Sequence, residues 1–484
     1  MLTIPRLVKL AILGATALTL VHCTSPSRPG LPPGSPFAPV QQAEPSILEQ
    51  GVATGDVTST SAALWFRTER AAKVRVEWGP GRRSGVASTV LRTVPDQDFT
   101  ITLPIASLQP ATEYRYRIQT LDERGEPLSE AGAGFSAEGR FTTAPPHDRH
   151  DPVTFVWGGD LGGQGLCRRP QDAYGILDVM LDRRPDFAIL LGDLIYADGS
   201  CASPPNAPGS EFKAGTLDEF RQKHRYQRGA PALRRFLAQV PVYAIWDDHE
   251  VRNNFSGPYD PLMPIGRRAL LEYWPVARHP ADPFRLYRSF RYGADLELFI
   301  LDTRQYRDRN GDADGPGKTM LGLAQREWLI EGLSRSTATW KVVASSVPLS
   351  LSQPGSPSVP GNDSWARSPD GTGFLHELSF ILGRAADRSV RNLVWLVGDV
   401  HFAQVNAYDP DHDDVPDFYE FISGPLSAVS VKPRPPQTDL SPTTFYSAGG
   451  FLNFGVVEID GTTLRVTIRD RSGAARFTKS FQAR

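Results

Sequence analysis

Four short polar clusters carry the residue types that metal chemistry needs, and each directly follows an apolar run. Trp157-Gly158-Gly159-Asp160 follows Val153–Val156, and Gly192-Asp193-Leu194-Ile195-Tyr196 follows Phe187–Leu191. Trp246-Asp247-Asp248-His249-Glu250 follows Val240–Ile245, and Gly398-Asp399-Val400-His401 follows Leu393–Val397. Carboxylates with imidazole and one phenol make a set of hard oxygen and nitrogen donors. Such a set suits two cations that together hold a phosphate ester. The ester is anionic and repels hydroxide; two cations about 3.5–4 Å apart remove that repulsion and lower the pKa of a bound water.

Asp193 is the natural bridge between the two cations. Asp160, Tyr196 and His401 would complete one, and Asp248 and Asp399 the other. A phenol with an ordinary pKa near 10 is a poor ligand for calcium or zinc at neutral pH, so Tyr196 points to a trivalent cation such as Fe³⁺. His249 adjoins the cage, where it can hydrogen-bond a phosphoryl oxygen or protonate a leaving alkoxide. Arg304 is either a bidentate phosphate clamp or half of a salt bridge with Asp302 or another acid.

The elements that must position these residues alternate in type. From about residue 150, apolar strand runs, joined by Leu296–Leu301 and Trp340–Ala344, alternate with helical patterns. The helical stretches are Gln171–Asp182, Leu217–Gln227, Pro231–Ala238, Leu321–Ser334 and His376–Arg388. That order predicts a parallel or mixed sheet whose ligands gather at the carboxyl ends of strands. Beyond Phe418 the chain is strand-rich again, with Gly455–Ile459 and Leu464–Ile468 flanking an Asp460-Gly461 hairpin signal.

Residues 45–147 read differently. Val74, Val76 and Trp78 alternate with charged residues, and Phe99, Ile101 and Leu103 alternate again, the period of strands with one buried face. Tyr114, entering a late strand after Leu108–Glu113, is similar to the tyrosine corner of sandwich domains. The expected fold is therefore an immunoglobulin- or fibronectin III-like β-sandwich (45–147) ahead of an α/β domain (148–484).

Residues 1–23 have the make-up of an export signal: Arg6 and Lys9, then the apolar stretch Leu10–Val21, too short to span a bilayer. Cys23 follows Leu20-Val21-His22, a sequence similar to a lipoprotein lipobox with His22 where a small residue is expected. Cys23 is then either lipidated, tethering the chain to a bacterial-type cell envelope, or lost on secretion to the periplasm or exterior. Residues 24–44, dense in Pro, Ser and Gly, read as a linker. The remaining pair, Cys167 and Cys201, suggests one disulfide in an oxidising compartment. A formal charge of −2 argues against a basic nucleic-acid surface. The chain is expected to act as a monomer.

Together the motifs resemble those of the calcineurin-like metallophosphoesterases, and most closely the PhoD-type alkaline phosphatases. The resemblance rests on Gly-Asp-x-x-Tyr at 192–196, on Trp246–Glu250 running on to Asn254, on Leu301–Arg307 and on Gly398–His401. Gly424–Ser427 and Asn453–Gly455 add to it. It implies an αββα sandwich, hydrolysis of phosphate mono- or diesters, and a centre of Fe³⁺ plus Ca²⁺ or another divalent ion. Asp160 stands where that family often has cysteine. Ser345-Ser346 stands near where many superfamily members place a histidine, favouring Ca²⁺ over Zn²⁺ at the second site. Two rival readings are a dedicated phosphodiesterase or phospholipase with little monoesterase activity, and a non-catalytic surface binding protein. Separately, Asp409, Asp411, Asp413, Asp417 and Glu420 occupy positions 1, 3, 5, 9 and 12 of a twelve-residue window, the spacing of an EF-hand-like calcium loop.

Overall fold

Alternating apolar residues in the first third build two facing sheets, as a half-buried strand requires. A computed structural model describes residues 47–81, 86–128, 135–171, 174–355 and 359–484; the expected signal, Cys23 and the linker lie outside them. The first strands are β1 (Val52–Gly55), β2 (Ser61–Arg67), β3 (Lys73–Pro80), β4 (Ala87–Arg92), β5 (Thr100–Ala106), β6 (Glu113–Leu121) and β7 (Ser136–Thr142). Sheet β4-β3-β6-β7 packs on β1, β2 and β5 through Val52, Leu64, Phe66, Val74, Val76, Tyr116, Ile118 and Phe141. The Tyr114 hydroxyl accepts a hydrogen bond from Gln109 N, 2.9 Å away and five residues upstream, which is the tyrosine-corner contact.

The second region runs β8 (Val153–Gly158), α1 (Ile176–Leu181), β9 (Phe187–Leu191), α2 (Leu217–Arg228), α3 (Pro231–Leu237), β10 (Val242–Ile245) and α4 (Met263–Tyr273). It continues with β11 (Arg288–Tyr292), β12 (Leu296–Ile300), α5 (Gly322–Arg335), β13 (Trp340–Ser345), α6 (Leu375–Asp387) and β14 (Leu393–Val397). It ends with β15 (Ala403–Tyr408), β16 (Phe418–Ile422), β17 (Pro442–Ala448), β18 (Asn453–Asp460), β19 (Thr463–Asp470) and β20 (Ala475–Gln482). Helix α2 begins with a capping box: Thr216 Oγ1 accepts from Glu219 N while the Glu219 carboxylate accepts from Thr216 N.

One sheet has the order β20-β19-β18-β8-β9-β10-β1-β2-β5 and the other β11-β12-β13-β14-β16-β15-β17. The sandwich strands thus share a sheet with the α/β region: β1 runs parallel to β10 at Gly55 and Val242. The two large sheets meet through Phe155, Trp157, Ile189, Val342, Leu396, Val405 and Phe421. Helices α5 and α6 cover the seven-stranded sheet with Leu329, Leu333, Leu378 and Ile381. Helices α1 and α3 supply Leu177, Met180, Leu233 and Phe236 on the nine-stranded one. These are the αββα layers expected from the motifs. No helix among the described residues is long and apolar enough to cross a membrane.

Candidate metal centre

The register of the parallel strands decides where the carboxylates go. Gly158 pairs with Leu190, and Ile245 pairs with Leu191. Asp160, Asp193 and Asp247–His249 therefore leave three neighbouring strands at the same edge. In the facing sheet Val397 pairs with Ser345, and β14 delivers Asp399 and His401 to that edge. The backbone there is unusual: Asp160, Asp193, Asp399 and His401 all adopt left-handed φ, between 53° and 65°. Non-glycine residues rarely sit there unless the surroundings force it.

Two overlapping groups result. Asp160, Asp193 and His401 each offer one ligand atom within 4.8 Å of the others, and so do Asp193, Asp248 and His249. Asp193 belongs to both, the bridging place expected from its motif. His401 Nε2 lies 3.3 Å from Asp160 Oδ1 and 3.4 Å from the Tyr196 hydroxyl. Asp399 lines the same cavity but stands apart from these groups; its Oδ2 accepts from Gln353 Nε2 at 2.8 Å.

The site is buried and crowded with acids. Burial, reinforced by Asp248, Asp247 and Asp160, pushes the Asp193 carboxyl well above its ordinary range. Burial and then Asp247 and Asp248 do the same to Asp399, and burial with Asp193 and Asp160 raises the Tyr196 phenol. For His249, burial works downward, but Asp248 and Asp198 overcome it and raise the imidazole to about 9. Asp160 Oδ2 and Asp248 Oδ1 are buried without a hydrogen-bond partner among the described residues, and Asp160 Oδ1 has His401 Nε2 beside it. Buried carboxylates that repel one another and lack donors fit a cation, because an isolated buried charge is otherwise expensive.

The contacts that support the ligands come from residues to which the motifs assign no role. Glu250 accepts from Asp193 N, Leu194 N and Asp247 N at 3.1, 2.7 and 2.8 Å, tying two ligand turns together. His249 Nδ1 donates to Asp198 Oδ1 at 2.6 Å, and its ring stacks on Tyr196 with centroids 4.2 Å apart. Asn254 N donates to Asp248 Oδ2 at 2.6 Å. Two glycines make room: a Cβ on Gly163 would lie 2.0 Å from the Tyr196 ring, and one on Gly424 would lie 2.4 Å from Asp160 Oδ2. Asp198 follows Tyr196 by two residues, a spacing that could have flagged it.

Of the two readings of Arg304, the structure favours the salt bridge over the phosphate clamp: its side chain is 0% exposed. Its Nε donates to Asp247 Oδ1, and Nη1 and Nη2 donate to the two oxygens of Asp363, each at 2.7 Å. All three of its nitrogens are bonded to these two acids in the interior. One expectation is corrected: the twelve-residue acidic window splits. Asp409, Asp411 and Asp417 converge, while Asp413 caps backbone through Val415 N. Glu420 sits on β16 with a fully buried side chain, bonded to Leu349 N, Asn406 and the Tyr408 hydroxyl. A strand places Glu420 in the interior, so it cannot close that loop as a twelfth-position ligand. Cys167 and Cys201, by contrast, are disulfide-bonded.

Comparison with known proteins places these features in a family. The sequence profile of the PhoD-like phosphatase matches residues 155–469, and that of the PhoD-like phosphatase N-terminal domain matches 35–145. The chain belongs to the PhoD-like phosphatase family. Alkaline phosphatase D of Bacillus subtilis (strain 168) is 28% identical over 402 residues, 72% of this chain and 64% of the relative. The chain thus spans less than two thirds of that relative's length. A solved structure of PhoD superposes with a TM-score of 0.74 at 22% identity, covering 92% of each chain. The purple acid phosphatase PPD1 from yellow lupin (Lupinus luteus) seeds gives 0.61 at 15% identity, covering 89% of this chain and 73% of its own. Both likenesses concern the fold.

Proposed function

We propose that this PhoD-like protein is an exported, metal-dependent phosphatase that hydrolyses phosphate esters at the edge where β8, β9, β10 and β14 end. The observation that carries this is the pair of donor groups sharing Asp193, with unpartnered buried carboxylate oxygens, opening into a cavity of about 580 Å³. Asp160, Asp193, Tyr196 and His401 would hold an Fe³⁺. Asp193, Asp248 and Asp399 would hold a Ca²⁺ or other divalent ion, with His249 beside them. Bound there, the cations supply Lewis acidity toward a phosphoryl oxygen and lower the pKa of water.

The chain's own residues do the rest. Since a carboxylate only accepts, Asp198 fixes the proton on His249 Nδ1 and leaves Nε2 for the ligand side. His249 lines the cavity, where it can hydrogen-bond a phosphoryl oxygen or, when protonated, deliver a proton to a leaving-group oxygen. His401 Nδ1 donates to Val429 O, which turns Nε2 toward Asp160 and Tyr196. Export is supported by the signal-like residues 1–23, and a lipid tether by Cys23. The test is p-nitrophenyl phosphate hydrolysis by the wild type and Asp193→Asn. The variant should keep its circular dichroism spectrum and lose activity by 10³-fold or more. Equal activity in the folded variant would reject the reading.

A further inference from the structure

The candidate active-site cavity has two poles, and the proposed chemistry uses only one. Asp193, Asp248, His249, Asp399 and His401 line the first. Lys432 and Arg434, on the segment after β16, line the second. Neither is ion-paired with a protein carboxylate among the described residues. Arg434 Nη2 donates to Gln353 Oε1, while its Nε is buried and unpartnered.

This segment is bound to the centre along its length. Ser427 N and Ala428 N donate to Asp160 O at 3.0 and 3.1 Å, Val431 N donates to His401 O at 3.0 Å, and Gln437 N donates to Ser350 O at 2.7 Å. The backbone that carries the two cations is therefore anchored beside the acids. An ester with a neutral leaving group brings one negative pole, which belongs at the carboxylate cage with its cations. A second, cationic wall in a cavity large enough for a drug-sized ligand suits a second negative charge.

We propose that Lys432 and Arg434 form an anion subsite that selects phosphate esters whose leaving group carries another anionic group. This rests on the phosphoester reading above. The experiment compares kcat/KM for phenyl phosphate, 4-carboxyphenyl phosphate and 4-(trimethylammonio)phenyl phosphate, using the full chain and its Lys432→Ala and Lys432→Glu variants. Dividing each variant's values by the wild type's cancels differences in leaving-group acidity. The carboxylate substrate should lose about five- to tenfold relative to phenyl phosphate in Lys432→Ala. The cationic substrate should gain in Lys432→Glu.

A second measurement needs no variant: 4-carboxyphenylphosphonate should inhibit the wild type more tightly than phenylphosphonate. Unchanged ratios with equal inhibition overturn the subsite. So does a uniform loss on all three substrates, which would put Lys432 on the reacting phosphoryl group. A wild type inert toward every one of these monoesters and toward bis-p-nitrophenyl phosphate overturns the phosphoester reading itself, and the subsite with it.

Discussion

Replacing Arg304 separates a buried structural cation from a substrate clamp. The guanidinium makes three charge-assisted bonds of 2.7 Å to Asp247 and Asp363, with both partners' side chains 1% exposed. In Arg304→Met, Asp363 keeps Arg307 Nη1 at 2.6 Å and Asn310 Nδ2 at 2.8 Å, but Asp247 loses its cation. Removing one partner of a buried pair costs about 3–5 kcal/mol, a large share of a total stability of about 5–15 kcal/mol. Arg304→Lys restores the charge without the planar fork, so it should recover part of that loss. The assay is urea unfolding followed by near-ultraviolet circular dichroism, beside KM for p-nitrophenyl phosphate. The expected order of stability is wild type, then Lys, then Met. An Arg304→Met protein with wild-type stability and a KM raised tenfold would refute the reasoning and reinstate the clamp.

Other perturbations have equally defined outcomes. His224 is buried against Tyr273, and burial, then Arg228 and Arg225, lower its pKa to about 3. The unfolded chain therefore binds a proton between pH 6.5 and 3 that the folded chain refuses. Stability should fall with acid by at most about 1.4 kcal/mol per pH unit from this group, and His224→Phe should flatten that slope in unfolding titrations. Gly163→Ala should push the Tyr196 ring aside, lowering activity and any iron–phenolate absorption while leaving Tm within a few degrees. Asp198→Ala should cut kcat about 10–100-fold with metal content retained, read by steady-state kinetics and elemental analysis. Replacing Cys167 and Cys201 by Ser opens a loop with a sequence separation of 34 and should cost about 3–4 kcal/mol in chemical denaturation.

What the sequence makes legible follows from what local pattern encodes. Asp160, Asp193, Asp248, Asp399 and His401 stand out because each follows an apolar run, and parallel register carries such residues to one edge. Helix α4 escapes because Gly266 weakens its opening, although Pro264 stands where a helix start accepts it. Glu420 misleads because acidic spacing says nothing of strand register: it pairs with Asn406 across β15 and β16 and is carried inside. Arg304 stays ambiguous because its partner Asp363 lies 59 residues away, beyond any local signal. The same distance problem hides Gln353 and Arg434, which reach the site from separate segments. It also hides the joining of β1 to β10, where residues nearly 190 apart in sequence share a sheet.

The most direct test of a shared-carboxylate centre is a metal count by inductively coupled plasma mass spectrometry on purified wild type and Asp193→Ala, alongside a visible absorption scan. The wild type should carry about two metal ions per chain with a phenolate-to-iron band, and the variant should lose both metals and the band together. Wild-type protein that binds no metal under activating conditions, or a folded variant that keeps its full complement, would contradict the account.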